Sequence, residues 1–390
     1  MPGSRRPSPP ARAARSHPPR ASGEDLRQDI RTVLVTGAGG PIGSFLVHHL
    51  AREGFAVVAA DQPGSDIPLP KARSPIVART GDLSSPVFLK SLLEGVDAVI
   101  HAAPCVGIRQ PYDVLAPLVV ETPRVLYAGC RRRAVKRFLY LSSGQVYKRG
   151  QSLMDETSAL EAEDDYQQAL MDAEKALLAE AAPGLPLVTV LRVAVSYGPR
   201  NGALISSLAT LPVLARALGP CCPLLSGGPR MNLIHGEDAA RAALFLLFQA
   251  GSYGEVFNVA DKDPMSLSEF INVAMETYGL KRLEPGTPYP PLTLLQSILP
   301  YMDSDDIFDP LNKLGCSLWD RMVRKLGLQR ALTPRIDQEM LLFGRRDLML
   351  ASRKLTSLGF RHKYPKFHQG WERTVAWYQE NRWIPGPNEI

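Results

Sequence analysis

The sequence predicts an α/β fold: a doubly wound parallel sheet followed by a smaller, mostly helical second domain. Three observations predict it. From residue 32, short β-branched runs alternate with amphipathic stretches of helical length. The runs are almost continuously apolar, as strands become when helices cover both faces of a sheet. After residue 200 the alternation weakens and prolines punctuate the chain.

In chain order, "TVLVT" (32–36) is the first strand, and "PIGSFLVHHLAREG" carries the spacing of a helix that packs on it. "AVVAAD" (56–61) and "PIVART" (75–80) are the next strands, with "SPVFLKSLLEG" the following helix. "VDAVIHAA" (96–103), "RFLYLSS" (137–143) and "LVTVLRVAV" (187–195) continue the sheet. Beyond them, "SLATLPVLARAL" and "LSEFINVAMETYG" read as helices and "EVFNVA" (255–260) as a strand. Residues 284–333, with clusters such as "PLTLLQSILPYM", read as an insertion of mostly helical pieces, and "GWERTVAWYQENRW" as a terminal helix packed through its tryptophans.

Composition narrows the functional classes. Net charge is +6, and half of it lies in residues 1–30, where six arginines face three acids. The remainder is too nearly neutral for a nucleic-acid footprint. Residues 1–30 are rich in Pro, Arg, Ala and Ser, have no apolar run, and read as a disordered tail and not a secretory signal. The five cysteines have no metal-ligand spacing, and an odd number does not close a disulfide framework. They fit reduced thiols in a cytoplasmic protein. No stretch reaches the roughly 20 apolar residues that a membrane-spanning helix needs; a peripheral contact stays compatible.

The chemistry begins at "VLVTGAGGPIGSFLVHHL". Gly37, Gly40 and Gly43, with Ile42 among them, stand between a strand and a helix. Glycine there permits a tight turn and close backbone approach, and the helix N-terminus offers N–H donors to a pyrophosphate. Asp61 ends the second strand near the spacing expected of the carboxylate that holds a ribose. It repels a 2′-phosphate, and no arginine directly follows it, so the cofactor predicted is NAD and not NADP. On this reading residues 31–262 are the Rossmann-type cofactor domain, with 200–230 reaching the substrate side, and 263–390 form the substrate-binding domain.

The motifs "TGAGGPIG", "GDL" (81–83), "VIHAA" (99–103), "LSSGQVY" (141–147), "LRVAVSYGP" (191–199), "NLIHGEDAARA" (232–242) and "GEVFNVAD" (254–261) follow in an order that resembles the extended short-chain dehydrogenase/reductases, the NAD-dependent epimerase/dehydratase superfamily. The resemblance covers roughly residues 32 to 380. It implies that Asp82 sits near the adenine, with Leu83 beside it in the cofactor site, and that Ala102 and Ala103 line the nicotinamide-side phosphates. Family chemistry uses Ser, Tyr and Lys with a supporting Asn, and the resemblance assigns Ser143 and Tyr166 to the first two. The same register puts Leu170 at the lysine and Val119 at the asparagine, and no Tyr-x-x-x-Lys occurs in the chain. Lys175 lies on the opposite helix face, which leaves Lys148 or Arg149 as candidates to reach in.

The expected substrate is a small, apolar molecule. Sugar-nucleotide members grip a diphosphate with an arginine where this chain has Met231, and Arg230 is displaced by one residue. The apolar segments 211–225 and 284–333 instead resemble regions elaborated in 3β-hydroxysteroid dehydrogenases and long-chain 3-oxoacid reductases. Two further readings accompany this one: a non-catalytic NAD-binding sensor or subunit, and an NDP-sugar epimerase or dehydratase. A homodimer is compatible with each.

Overall fold

A computed structural model describes residues 27–103, 110–150, 153–181, 186–202, 208–219, 221–288, 309–334 and 346–390. Seven parallel strands form the central sheet: β1 (Thr32–Thr36), β2 (Ala56–Asp61), β3 (Ile76–Thr80), β4 (Ala98–His101), β5 (Arg137–Ser143), β6 (Leu187–Val193) and β7 (Glu255–Val259). Their order is β7-β6-β5-β4-β1-β2-β3, so the direction of winding reverses between β1 and β4. Ligands of such sheets bind at the carboxyl ends of the strands beside that reversal. Val33, Leu34 and Val35 of β1 are fully buried, the outcome expected of a strand covered on both faces. Edge strand β3 is largely exposed, and its sequence is correspondingly more polar.

Helices α1 (Gly43–Arg52), α2 (Pro86–Leu92), α3 (Thr122–Arg132), α4 (Asp165–Glu180) and α5 (Gly236–Leu247) cover the sheet. Leu46, Val47 and Leu50 of α1 bury one face against β1 and β2; each such side chain contributes about 1.5–3 kcal/mol. α3 is preceded by a short helix (Tyr112–Ala116) and a π-type turn over Pro117–Glu121. Such turns widen a helix locally and recur at functional sites. Asp164 caps α4 by accepting the Gln167 N–H at 2.8 Å, which fixes where the helix starts and so where Tyr166 points.

One buried ion pair fixes the rotation of α4 on the sheet. Arg192 of β6 donates through Nη2 and Nε to Glu174 at 2.7 and 3.1 Å, and Ser142 of β5 donates to the same carboxylate. Glu174 lies about two turns beyond Tyr166. Arg192 also stacks over the Tyr147 ring, 4.8 Å from its centroid, while the Tyr147 hydroxyl donates to Asn258 at 2.8 Å.

The second part departs from the sequence reading in one place. Residues 284–288, read as the start of a mostly helical insertion, belong to a strand, Lys281–Pro288, that pairs in parallel with Cys221–Ser226, with a register shift between Leu283 and Thr287. Prolines are tolerated in short edge pairings of this kind. Asp309–Leu326 is helical, as expected; "PLTLLQSILPYM" lies outside the described residues, as does nearly all of the N-terminal tail. The helix Phe367–Glu380 packs Phe367, Trp371 and Val375 into the same core cluster as β1 and α1.

Candidate functional site

A cavity of about 780 Å³ opens at the carboxyl ends of the strands. Its walls bring together Gly37, Gly40, Ile42, Asp61, Leu83, Ala102, Ala103, Ser143 and Tyr166. Gly43 and Asp82 are not among its lining residues. Gly43 serves packing instead: a Cβ there would lie 1.9 Å from the Gly37 carbonyl oxygen, so only glycine lets α1 approach the turn. Asp82 is fully exposed, and its carboxylate accepts from the Ser84 N–H (2.8 Å) and hydroxyl (2.6 Å), bonds that lower its pKa.

The glycine loop has the form that a pyrophosphate requires. Gly37 adopts φ +70°, and a Cβ on it would meet the Ala102 carbonyl oxygen at 2.6 Å. Ile42, at the cap position of α1, makes no side-chain capping bond, and the first turn of α1 contains no acid. No side chain therefore competes with an anion for the first turn, although the Ser44 N–H already donates to the Gly40 carbonyl at 3.0 Å. Asp61 holds the loop from the other side: Oδ2 accepts the Gly39 N–H at 2.7 Å, and Oδ1 accepts from the Gln62 N–H at 2.7 Å and the Ser65 hydroxyl at 3.1 Å. Its carboxylate thus lies at the cavity wall with its orientation fixed. Thr122 braces the Leu83 segment, donating to the Leu83 carbonyl at 3.0 Å.

At the other end of the cavity, Ser143 accepts the Gln145 N–H at 3.2 Å, which fixes its side chain at the mouth of β5. Tyr166 is 7% exposed and belongs to a small apolar cluster with Leu115, Val119, Val120, Val146, Ala169 and Leu170. Leu170 and Val119 are both fully buried there. The two positions that the resemblance assigns to the lysine and asparagine are thus filled by apolar side chains of one cluster. Neither cation suggested as a substitute lines the cavity. Lys148 pairs with Glu161 at 3.0 Å, and Arg149 is buried 3.8 Å from Glu163.

Sequence reasoning missed a second wall. Gln329, Trp377, Asn381 and Trp383 line the cavity, with the Trp377 and Trp383 rings edge to face at 5.0 Å. Nothing local marks them, because a tryptophan that packs and one that faces a cleft share the same helical spacing. Arg200 was missed too. It is the one cation among the described residues that line the cavity, and its Nη2 donates to the Asp66 carboxylate at 2.6 Å and carbonyl at 3.0 Å. Its signal was faint: a charged residue directly after the motif "LRVAVSYGP" (191–199). Its φ of 63° is left-handed, which costs a non-glycine residue of order 1 kcal/mol.

Comparison with known proteins decides the family. Residues 33–260 match the NAD dependent epimerase/dehydratase family. The chain belongs to that family. A 3 beta-hydroxysteroid dehydrogenase/Delta 5-->4-isomerase of Mycobacterium tuberculosis is 27% identical over 269 residues, covering 65% of this chain and 71% of that protein. A 2-alkyl-3-oxoalkanoate reductase of Stenotrophomonas maltophilia is 29% identical over 264 residues, 65% of this chain and 77% of the relative. Among solved structures, MoeE5 in complex with UDP-glucuronic acid and NAD has a TM-score of 0.63 at 23% identity, covering 90% of this chain and 99% of that one. Bordetella bronchiseptica WbmG, in complex with NAD and UDP, has a TM-score of 0.65 at 18% identity, with coverages of 89% and 94%. These structures share the Rossmann-type fold. The family's cofactor is NAD, and the glycine cradle, the uncapped helix and Asp61 of this chain fit it. No helix among the described residues is long and apolar enough to cross a membrane.

Proposed function

We propose that this protein is an NAD-dependent oxidoreductase acting on the hydroxyl or keto group of an apolar small molecule, of the kind handled by its hydroxysteroid and 3-oxoalkanoate relatives. One observation carries the reading: Ser143 and Tyr166 face the same cavity as the glycine loop and Asp61. NAD, when bound, supplies the hydride acceptor or, reduced, the donor. The Tyr166 phenol exchanges a proton with the substrate oxygen, and the Ser143 hydroxyl donates a hydrogen bond to that oxygen. Leu118, Leu141, Val193, Ala194 and Val195 give the cavity apolar walls, which favours an apolar substrate.

In this reading residues 31–262 bind the cofactor, while 263–390, with 200–230, shape the substrate side; a homodimer and a peripheral membrane contact are compatible with it. A second reading, an NAD-binding sensor or subunit, is supported by the buried Leu170 and Val119 in place of the family's lysine and asparagine. The sugar-nucleotide reading is weaker. Arg230 donates to the Pro264 carbonyl at 2.8 Å and does not line the cavity, and Met231 is buried.

The test screens hydroxysteroids and long-chain 3-hydroxy compounds with NAD by absorbance of the reduced nicotinamide, and NDP-sugars by chromatography of the products, because epimerisation and dehydration return the hydride and leave no net NADH. Turnover of an apolar alcohol that falls in Tyr166→Phe supports the proposal. NAD binding with no turnover of any class moves the sensor reading ahead.

A further inference from the structure

The cation at the cavity belongs to neither the glycine loop nor the catalytic pair. Arg200 follows the short strand Val195–Tyr197, and its guanidinium reaches Asp66 in the segment between β2 and β3. Both residues line the cavity. The Asp66 loop is seated on the glycine loop: a Cβ added to Gly39 would lie 2.9 Å from the Asp66 carbonyl oxygen and 3.2 Å from the Asp61 carboxylate. Arg200 therefore joins two loops that rise on opposite sides of the place where a dinucleotide enters.

Its position is held from behind. The Tyr378 hydroxyl bonds to the carbonyl oxygens of both Gly198 (3.1 Å) and Asn201 (2.8 Å), one on either side of Arg200. The Asn201 side chain donates to the Ser196 carbonyl at 2.8 Å. Tyr378 is fully buried, so helix Phe367–Glu380 acts as a fixed post for the loop. The left-handed backbone at Arg200 persists because these bonds over-determine it. Among the described residues the Arg200 Nε is shielded from solvent and carries no hydrogen bond, which leaves one donor for a ligand oxygen.

We infer that Arg200 and Asp66 form a clasp across the cofactor cleft, so that NAD leaves only when the pair parts. The clasp sets how long the cofactor stays, while the glycine loop and Asp61 set how it is oriented. The inference rests on NAD binding alone and not on the proposed substrate. Asp66 is 85% exposed, so the effect is that of a screened pair, modest and sensitive to salt.

The experiment preloads the full-length protein with NADH and follows loss of nicotinamide fluorescence after mixing with excess NAD. Arg200→Gln and Asp66→Asn are each expected to speed release roughly two- to fivefold, and the double variant no further than either single one. Added salt should speed release from the wild type and not from the variants. Thermal unfolding of the cofactor-free Asp66→Asn variant should be unchanged. If Asp66→Asn leaves release unaltered while Arg200→Gln speeds it, Arg200 acts on the cofactor phosphates directly and the clasp is wrong. It is equally wrong if neither substitution changes the rate.

Discussion

Replacing Leu170 with lysine looks, from sequence alone, like the repair of a catalytic site; the structure makes it the burial of a charge. Leu170 is fully buried, and of its buried cluster partners Leu115, Val119, Val120, Val146, Tyr166 and Ala169 only Tyr166 carries a polar side-chain atom, a neutral hydroxyl. Full burial lowers a lysine pKa by up to about 3–5 units from its ordinary value near 10.4. Once the folded value falls below 7, holding the amine neutral at pH 7 costs about 4–5 kcal/mol. That is comparable to the whole stability of many domains, about 5–15 kcal/mol.

The sign follows from proton binding. Between the depressed folded pKa and 10.4 the unfolded chain binds a proton that the fold does not, so the penalty shrinks as pH rises. It should be only about 1 kcal/mol at pH 9.5. Urea unfolding of Leu170→Lys and wild type at pH 7 and 9.5 measures both values. Adding Val119→Asn supplies a polar partner for the neutral amine, and about 0.5–1.5 kcal/mol should return. A Leu170→Lys protein as stable as wild type at both pH values would show that the cluster is open to water and would refute the reasoning.

Other expectations concern the cofactor, the phenol and acid stability. Asp61→Ala should weaken NAD binding about tenfold and narrow the preference over NADP, since roughly 1–2 kcal/mol of loop hydrogen bonding is lost with the carboxylate; calorimetric titration of both cofactors checks it. Tyr166→Phe should lower turnover by about 10²–10⁴-fold with little change in NAD affinity; retention of full activity would sink the assignment. His101, which bonds to the Thr36 hydroxyl at 2.7 Å, and His235 are both pushed down to about 4 by burial. An unfolded histidine takes a proton below about 6.5 while these two stay neutral, so stability is full above that pH and falls toward pH 4. Melting temperatures between pH 7.5 and 4.5 should show the decline, with a shallower slope in His101→Gln.

How far the sequence spoke depended on the range of the interaction. β1 and β5 were legible because burial on both faces writes an unbroken apolar run into neighbouring residues. The glycine turn was legible because Gly43 answers to the Gly37 backbone only six residues away and Gly37 to its own left-handed φ of +70°, although the Ala102 carbonyl that Gly37 must also clear lies far along the chain. Leu170 could be placed in register with the family, but not packed: that it shares a cluster with Val119 depends on how α4 lies against the π-type turn over Pro117–Glu121. Residues 284–288 were misread because their prolines signal interruption, while the partner of their strand, Cys221–Ser226, lies far back in the chain. Arg200 and Asp66 meet across the cleft, and no local pattern encodes a meeting of two loops.

The wall formed by Trp377, Asn381 and Trp383 also bears on how the protein is made. The glycine loop leaves the ribosome early, but these residues, and the Tyr378 that posts the Arg200 loop, emerge on the order of tens of seconds later at ordinary elongation rates. Until then the nascent Rossmann-type half has its strands and its turn but an unfinished cleft, with apolar surface that Trp371 and Val375 later cover. This wall of the cleft is thus completed only once Trp383 has been made. A chain stalled or cleaved before Phe367 would leave the core beneath β1 and α1 without the Phe367, Trp371 and Val375 side chains that pack on it.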